Sequence, residues 1–272
     1  MKNEDMSEYF YKYRSIKNTD DLNKDNSIKA LLNNHAIFSN RKNFNDLFDS
    51  KINLINPTPK QLKELKNKLV GVDAQYISSL FSKGKFLPEW KDFSKIMNES
   101  FNAVVDGYVF YCVSTNPISN LMWSHYAGAH YGFCIEFKKE LLQATEVSYE
   151  KNIPSLQMLD LIKLTYKISD NKEFGVKIWA ALRTKLEEWG YEDEYRFQAD
   201  NKMLGEAIKV TDKYTIIEYP DNYIESIIFG YRMDNNIREF VINNMPDFIK
   251  YKEVIIKNSG LKVIDYNVAK NI

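Results

Sequence analysis

The chain has 272 residues, of which 44% are hydrophobic and 27% are charged, so it is long enough and apolar enough to bury a core. Lysine plus arginine equals aspartate plus glutamate at 37 each, which excludes a whole-molecule field that would hold a nucleic acid or an acidic membrane. No N-terminal run resembles a signal peptide, and no window reaches the roughly 18 continuous apolar residues of a membrane span. We therefore expect a cytoplasmic protein without a membrane segment.

The N-terminal part of the chain predicts a strand, a helix and a second strand. In residues 7–15 each tyrosine alternates with a phenylalanine or a cation, which is the period of a strand. A helix or helical turns over residues 19–33 follow, with Thr19 or Asp20 as the candidate N-cap. Residues 35–39 are then a short apolar strand.

The next segment is predicted to be helical. Thr58 is a cap candidate, Pro59 suits the first helical position, and leucines recur at helical spacing after them. The segment contains no internal repeat and no low-complexity linker. We interpret residues 56–106 as a helical insertion packed on the core of a single domain that spans residues 1–272.

The middle of the chain combines buried strands with an unusual aromatic stretch. Residues 108–115 are aromatic and β-branched without polar alternation, which predicts a strand buried on both faces. A short helix capped by Ser119 or Asn120 and a strand over residues 132–137 follow. The sequence that spans this helix and strand, LMWSHYAGAHYGFCIEF at 121–137, holds more histidine and aromatic residues than a core requires.

A charged strand follows two predicted helices. Residues 155–168 and 171–189 have helical spacing, and Gly190 is a candidate left-handed cap of the second helix. Residues 191–199 then alternate with a period of two, as in a strand. One face of that strand carries two carboxylates, a guanidinium and an amide: Glu192, Glu194, Arg196 and Gln198.

The C-terminal part predicts further strands and one helix. The strands lie near 207–218, 223–229, 252–257 and 261–266, and the helix spans about 234–245. With the earlier elements, this order favours an α+β fold with a central, mainly antiparallel sheet and helical insertions.

These blocks together resemble one bacterial family of domains of uncharacterised function, found alone or in phage-defence and stress loci. Its signatures here are MWSHYA with HYGFCIEF at 122–137 and WGYEDEYR at 189–196, joined by YKYR at 11–14, FSNRKNFND at 38–46, CVS at 112–114 and IESIIFG at 224–230. The resemblance extends over nearly the whole chain outside residues 50–106. It implies a fold and a setting but no particular reaction.

The chain also resembles, more distantly, ADP-ribosyltransferases of the Arg, Ser-Thr-Ser, Glu-x-Glu type. The corresponding blocks occur in the same order as Arg14-Ser15, Ser114-Thr115-Asn116 and Glu192-Asp193-Glu194, with Asn116 in place of the second serine of the middle motif. This resemblance implies that NAD is a substrate and that the chain is a toxin or phage-defence effector that modifies a protein or nucleic acid. An antitoxin or another defence-system protein would then be a partner.

The resemblance assigns two residues to the chemistry, and the side-chain type adds a third. Glu194 would stabilise the positive charge that develops on the ribose as the bond to nicotinamide breaks. Glu192 would orient the acceptor nucleophile. His125, beside Trp123 and Tyr126, is a candidate general acid, general base or ribose contact because of its imidazole side chain.

Other residues would bind NAD. Arg14, followed by Ser15, would hold a phosphate through its planar guanidinium. Ser114, with Thr115 beside it, would hold Glu194 or the ribose. An aromatic ring would stack on nicotinamide, and the candidates are Trp123, Tyr126 and Phe44.

A second hypothesis is a non-catalytic sensor or interaction module of a defence system, which binds a nucleic acid or a partner protein through residues 121–137. On that view the charges of residues 191–199 are a solvated face of an edge strand, and His125 is a hydrogen-bonded core residue. Convergence on one cleft would favour an enzyme, and scattering would favour the module; the residues that decide are Arg14, Ser114, His125 and Glu194.

We expect no metal site. His125 and His130 are five residues apart, which would place them on different sides of a continuous helix. Neither cysteine belongs to a Cys-x-x-Cys pattern.

Overall fold

The computed structural model describes residues 8–200, 204, 207–211 and 213–267. By its internal contacts the chain divides into two compact units. Unit 1 is made of Met1–Asn40, Val109–Val147 and Glu188–Ile272, and unit 2 is made of Arg41–Tyr108 and Ser148–Glu187. The predicted helical insertion at 56–106 lies within unit 2, and the single domain over the whole chain stays a prediction.

The elements are numbered in chain order. The strands are β1 (Tyr9–Arg14), β2 (His35–Asn40), β3 (Asn53–Ile55), β4 (Phe81–Ser82), β5 (Lys85–Phe86), β6 (Tyr108–Ser114), β7 (Phe133–Lys138), β8 (Thr145–Glu146), β9 (Ser148–Glu150), β10 (Ser155–Gln157), β11 (Thr184–Leu186), β12 (Glu194–Asp200), β13 (Lys209–Val210), β14 (Tyr214–Glu218), β15 (Ile224–Phe229), β16 (Lys250–Lys257) and β17 (Gly260–Asp265). The α-helices are α1 (Asn26–Leu32), α2 (Pro59–Lys66), α3 (Gly71–Ser79), α4 (Glu89–Val105), α5 (Asn120–Tyr126), α6 (Met158–Thr165), α7 (Asn171–Ala181) and α8 (Asn235–Asn244). Short 3-10 helices occupy Leu22–Lys24, Arg41–Asn43, Lys139–Leu141, Glu187–Glu192 and Asp221–Tyr223.

Unit 1 is built on one large sheet. Its strand order is β13-β14-β2-β6-β1-β7-β15-β16-β17, and β12 pairs with both β6 and β8. Among the pairings whose register the structure defines in this sheet, only β15 with β16 is parallel, and α8 provides the crossover that a parallel pair requires. The predicted α+β class with a mainly antiparallel sheet is confirmed.

The two faces of this sheet carry different clusters. Tyr11 is paired with Ser114, and Arg14 is paired with Phe133. Because successive side chains of a strand point to opposite faces, Tyr11 and Ser114 share one face and Arg14 projects to the other. We call these the Trp123 face, where Tyr11 packs with Trp123, and the Phe133 face.

A buried carboxylate connects four neighbouring strands on the Trp123 face. Glu136 of β7 is 3% exposed. It accepts hydrogen bonds from the Tyr11 hydroxyl at 3.2 Å and from the Ser226 hydroxyl, and the Lys252 ammonium lies 2.6 Å from it. A β-bulge between Ile224 and Ser226 adjusts the pairing of β15 with β7 at this point.

Unit 2 contains most of the helices. α2 begins as predicted, with Thr58 as the cap of a capping box and Pro59 in the first turn. β4 and β5 form a small hairpin between α3 and α4. The ring of Phe101 in α4 packs against Phe174 in α7, with centroids 6.3 Å apart, so the two stretches that make up this unit share a core.

Three details of the sequence-based prediction are wrong. The N-cap of α1 is Asp25, whose carboxylate accepts from two backbone amides of the first turn, and neither Thr19 nor Asp20 caps it. The helix predicted over 171–189 ends at Ala181 and is followed by β11, which pairs in parallel with β9. Gly190 does not have a positive φ and is not a left-handed cap.

Two positions in the predicted strands lie outside the described residues. Ser7, at the start of the 7–15 strand, lies outside the described residues. Asp212, inside the 207–218 strand region, lies outside them as well.

Candidate functional site

The predicted charged face of β12 is buried. Glu192, Glu194, Arg196 and Gln198 are only 3%, 4%, 1% and 7% exposed, respectively. The alternation predicted for residues 191–199 is therefore confirmed, although β12 begins at Glu194 and Glu192 ends a 3-10 helix. The alternative in which these charges form a solvated edge face is wrong.

Glu194 is held by a guanidinium of its own strand. Arg196 Nε lies 2.7 Å from Oε1 of Glu194, and Arg196 Nη2 lies 3.2 Å from Oε2. The Arg196 guanidinium also lies 5.6 Å from the ring centre of Phe110 in β6. A bidentate pair with both partners buried gives each charge a fixed orientation.

Ser114 and Tyr126 hold the segment before β12. The Ser114 hydroxyl donates to the backbone carbonyl of Glu192 at 2.6 Å, and the Tyr126 hydroxyl donates to Oε1 of Glu192 at 2.5 Å. The amide of Thr115 donates to the carbonyl of Asp193 at 3.1 Å. Asp193 has a positive φ of 44°, a strained conformation for a residue other than glycine. The middle motif therefore fixes the backbone of the Glu-Asp-Glu motif.

Trp123 is a core residue. It is completely buried, and its indole nitrogen donates to the Pro117 carbonyl at 2.8 Å. Its ring packs edge-on against Tyr13 and stacks with His130. This burial favours a structural role for Trp123 over the predicted stacking on nicotinamide.

The two histidines of the stretch have different surroundings. His125 is exposed, and its ring centre lies 6.2 Å from that of Tyr191. His130 has a positive φ of 73°, and its buried Nδ1 has no hydrogen-bond partner among the described residues. Burial, followed by the charge of Arg232, lowers the pKa of His130.

Lys12 is a half-buried cation that the sequence pattern did not single out. Its ammonium donates to the Cys112 carbonyl at 2.5 Å and lies 4.6 Å from the ring centre of Tyr111. Burial, followed by the nearby charge of Arg14, lowers the pKa of Lys12 to about 8. The alternation of β1 could place Lys12 on a strand face, but only the tertiary fold determines that this face is covered.

Arg14 lies on the Phe133 face and so projects away from the side that carries Ser114. Its positive charge lowers the pKa of Tyr111 and of Tyr219, against the larger effect of burial, which raises both. Ser15, the next residue, accepts a hydrogen bond from the Ser27 hydroxyl through its backbone carbonyl at 2.7 Å. The two residues of the first predicted motif thus have separate roles: Arg14 belongs to the Phe133 face, and Ser15 holds the local turn through its backbone carbonyl.

A pocket of about 240 Å³ lies on the Phe133 face. Its wall is almost entirely apolar, and Tyr219 contributes a hydroxyl that is buried and has no hydrogen-bond partner among the described residues. Tyr219 is 8% exposed. The main lining side chains come from β2, β6, β7, β12 and β14: Ala36, Phe38, Tyr111, Val113, Phe137, Phe197 and Ile217.

The predicted site residues therefore separate into groups. Ser114, Glu192 and Tyr126 are in direct contact, and Glu194 follows on the same side of the sheet. Arg14 lies on the opposite face of the sheet. Phe44 belongs to unit 2, where it follows the 3-10 helix Arg41–Asn43.

Residues 122–197 match the model of a family described as a protein of unknown function, DUF2971. The matched segment includes His125, Glu192 and Glu194 and excludes Arg14 and Ser114. It covers less than a third of the chain, so it shows a similarity of the central stretch to a domain of unknown function. Comparison with curated proteins gives no match, and comparison with solved structures gives none.

Two further features are absent from the described residues. Within residues 8–267, outside the gaps given above, no three histidine, cysteine or acidic side chains are grouped as metal ligands would be. Over the same part of the chain, none of the helices combines the length and the apolar character needed to cross a membrane.

Proposed function

We propose that the chain acts as a non-catalytic sensor or interaction module in which unit 1 binds a small molecule without transforming it. The observation that carries this proposal is the separation of the pocket from the predicted catalytic carboxylates. Tyr219 and Arg14 lie on the Phe133 face with Tyr195 and Phe197 of β12, whereas Glu194 projects from the other side of β12 and Glu192 precedes the strand. An apolar pocket with few polar groups is the usual form of a small-molecule site.

The state of the carboxylates supports the same proposal. A transferase needs a carboxylate that can approach the ribose of NAD, and both oxygens of Glu194 are engaged by Arg196. A phosphate held by Arg14 would lie on the face of the sheet opposite Ser114. The equal numbers of acidic and basic residues favour a protein as the macromolecular partner of the module over a nucleic acid.

The test is an NAD assay with matched variants. Wild-type protein, Glu194→Gln and His125→Ala are incubated with NAD and with panels of protein and nucleic-acid acceptors, and released nicotinamide is measured. The sensor proposal expects all three proteins to match a blank without protein. His125 is exposed, so His125→Ala keeps the comparison valid if Glu194→Gln is unstable. Nicotinamide release that either variant abolishes while it remains folded overturns the proposal.

The ADP-ribosyltransferase is the second candidate, and one observation favours it. Ser114 contacts the Glu-Asp-Glu segment, and Tyr126 binds Glu192, as a shared site for these motifs would require. Its acceptor, an antitoxin, the cytoplasmic location and the setting in phage defence come with the resemblances and stay predictions. The same assay decides between the two candidates.

A further inference from the structure

We infer that the pocket on the Phe133 face binds a small, largely apolar ligand that carries one oxygen acceptor, and that the Tyr219 hydroxyl donates a hydrogen bond to this oxygen. This inference rests on the proposed sensor function and names the class of molecule sensed. It follows from the volume of the pocket, the chemistry of its wall and the unused hydroxyl.

The volume limits the size of the ligand. An apolar cavity of roughly 150 Å³ binds benzene, and pockets for drug-sized molecules begin at about 300 Å³. The pocket of about 240 Å³ therefore suits one ring with a short substituent, or an aliphatic chain of similar bulk.

The wall selects an apolar body. Phe38, Phe137 and Phe197 present aromatic surface to the pocket, and Ala36 and Val113 leave room between them. A water molecule in such a cavity would need two to four polar partners, and the apolar part of this wall offers none. An apolar ligand is favoured because it removes both its own surface and the wall from water.

Tyr219 provides the polar contact. A buried hydroxyl without a partner is costly, and a ligand atom that accepts its hydrogen bond removes that cost. Tyr219 is fixed by an edge-on contact with Phe137 at 5.3 Å and by stacking with Tyr223 at 6.4 Å between ring centres. The position of the hydroxyl is therefore fixed, and the ligand orients its oxygen atom towards it.

The sign of the nearby charge indicates an acceptor. Arg14 shares the Phe133 face with Tyr111 and Tyr219, and its positive charge lowers the pKa of both hydroxyls against the larger effect of burial, which raises them. A positive potential at the polar end of the pocket stabilises an electronegative ligand atom such as a carbonyl or carboxylate oxygen. A ligand group that donates a hydrogen bond carries a partial positive charge, and this positive potential would disfavour it.

Two probes of similar size test the inference. Acetophenone carries a carbonyl oxygen, and ethylbenzene has the same carbon skeleton without that oxygen. We expect wild-type protein to bind acetophenone about three- to tenfold more tightly than ethylbenzene in a calorimetric or NMR titration, which is the range for one neutral hydrogen bond. Tyr219→Phe removes only the hydroxyl and should abolish this preference while it still binds ethylbenzene.

Two further variants locate the binding. Ala144 lines the pocket from the loop after β7, so Ala144→Phe should fill it and reduce the affinity for both probes at least tenfold. Tyr131 is exposed and does not line the pocket, so Tyr131→Phe should bind like the wild type. Equal affinity for the two probes in the wild type, failure of both to bind, or unchanged binding by Ala144→Phe overturns the inference. Nicotinamide release would overturn the sensor function alone, because the probe titration does not depend on it.

Discussion

At the scale of single residues, Glu194 and Arg196 of unit 1 form a buried ion pair. The two side chains are 5% and 0% exposed. Removal of one partner of such a pair leaves an uncompensated charge in a region of low dielectric, which costs more than the pair itself contributes. The same glutamate can thus be essential for folding without taking part in any reaction.

We expect Glu194→Gln to lower the free energy of unfolding by about 3–5 kcal/mol, because Arg196 then loses the bidentate contact with a buried carboxylate. Denaturant unfolding followed by circular dichroism measures this. Glu146→Gln is the control, since Glu146 is exposed in the adjacent β8 and its change should stay within about 0.5 kcal/mol. An equal change in the free energy of unfolding for the two substitutions would show that the buried pair contributes no more to stability than an exposed carboxylate does.

Lys12 predicts a pH dependence of stability. Its pKa falls from 10.5 to about 8 on folding, mainly through burial. Between these values the unfolded chain binds the proton more tightly than the folded chain, so this residue makes stability rise as pH rises from about 8 towards 10. Lys12→Met should lack that rise when the two proteins are compared over this range. Parallel pH profiles for both proteins would contradict the assignment.

At the scale of elements, two glycines allow the backbones of unit 1 to approach closely. A Cβ at Gly132 would lie 2.0 Å from the Arg14 carbonyl oxygen, and a Cβ at Gly230 would lie 2.2 Å from the His130 carbonyl oxygen. No side chain fits at these distances. The glycine of the HYGFCIEF signature is therefore required by the packing of β1 against the start of β7.

Gly132→Ala should lower the free energy of unfolding by about 3 kcal/mol or more, beyond the usual cost of overpacking, because the conflict is with backbone. Thermal unfolding is a sufficient measurement. Gly190→Ala is the matched control, since an added Cβ there meets nothing within 4 Å and the φ of Gly190 is not positive. A stable Gly132→Ala protein would contradict the described approach.

The sequence predicted the elements of unit 1 well where a single periodicity was present. The alternation of residues 191–199 identified which side chains share a face, although it could not tell that the charged face is the buried one. The helix over 171–189 was extended too far because Leu182, Leu186 and Trp189 also fit a helical stripe. There β11 pairs with β9, a contact distant in sequence that local spacing cannot reveal.

The pocket could not be predicted at all. Its lining residues come from segments between Ala36 and Tyr223, and most of them are apolar residues that local patterns identify only as core. Only the assembled sheet brings the Tyr219 hydroxyl, which has no hydrogen-bond partner among the described residues, to an apolar wall. The role predicted for Ser114, to hold Glu194 or the ribose, stays a prediction; its hydroxyl donates to the backbone carbonyl of Glu192, two residues before Glu194.

At the scale of the whole molecule, the division into two compact units predicts how a core defect spreads. Phe101 of unit 2 is 2% exposed, and Phe101→Ala should cost about 3–5 kcal/mol. We expect amide hydrogen exchange to accelerate in α4 and α7 and to stay unchanged in β7 and β15. Val104→Ala, at an exposed position of the same helix, is the control. Equal acceleration in all four elements would favour the single domain predicted from the sequence.

The carboxylate of Glu136 has a consequence for strand alignment during folding. Its partners come from β1, β15 and β16, and the three groups meet one side chain of β7. A shift of β1, β15 or β16 by one residue would remove one of these donors, and a shift of β7 by one residue would turn Glu136 to the apolar Phe133 face, away from all three. A misaligned sheet would thus carry an unpaired buried charge, so this one side chain discriminates against neighbouring registers that an all-apolar sheet would tolerate.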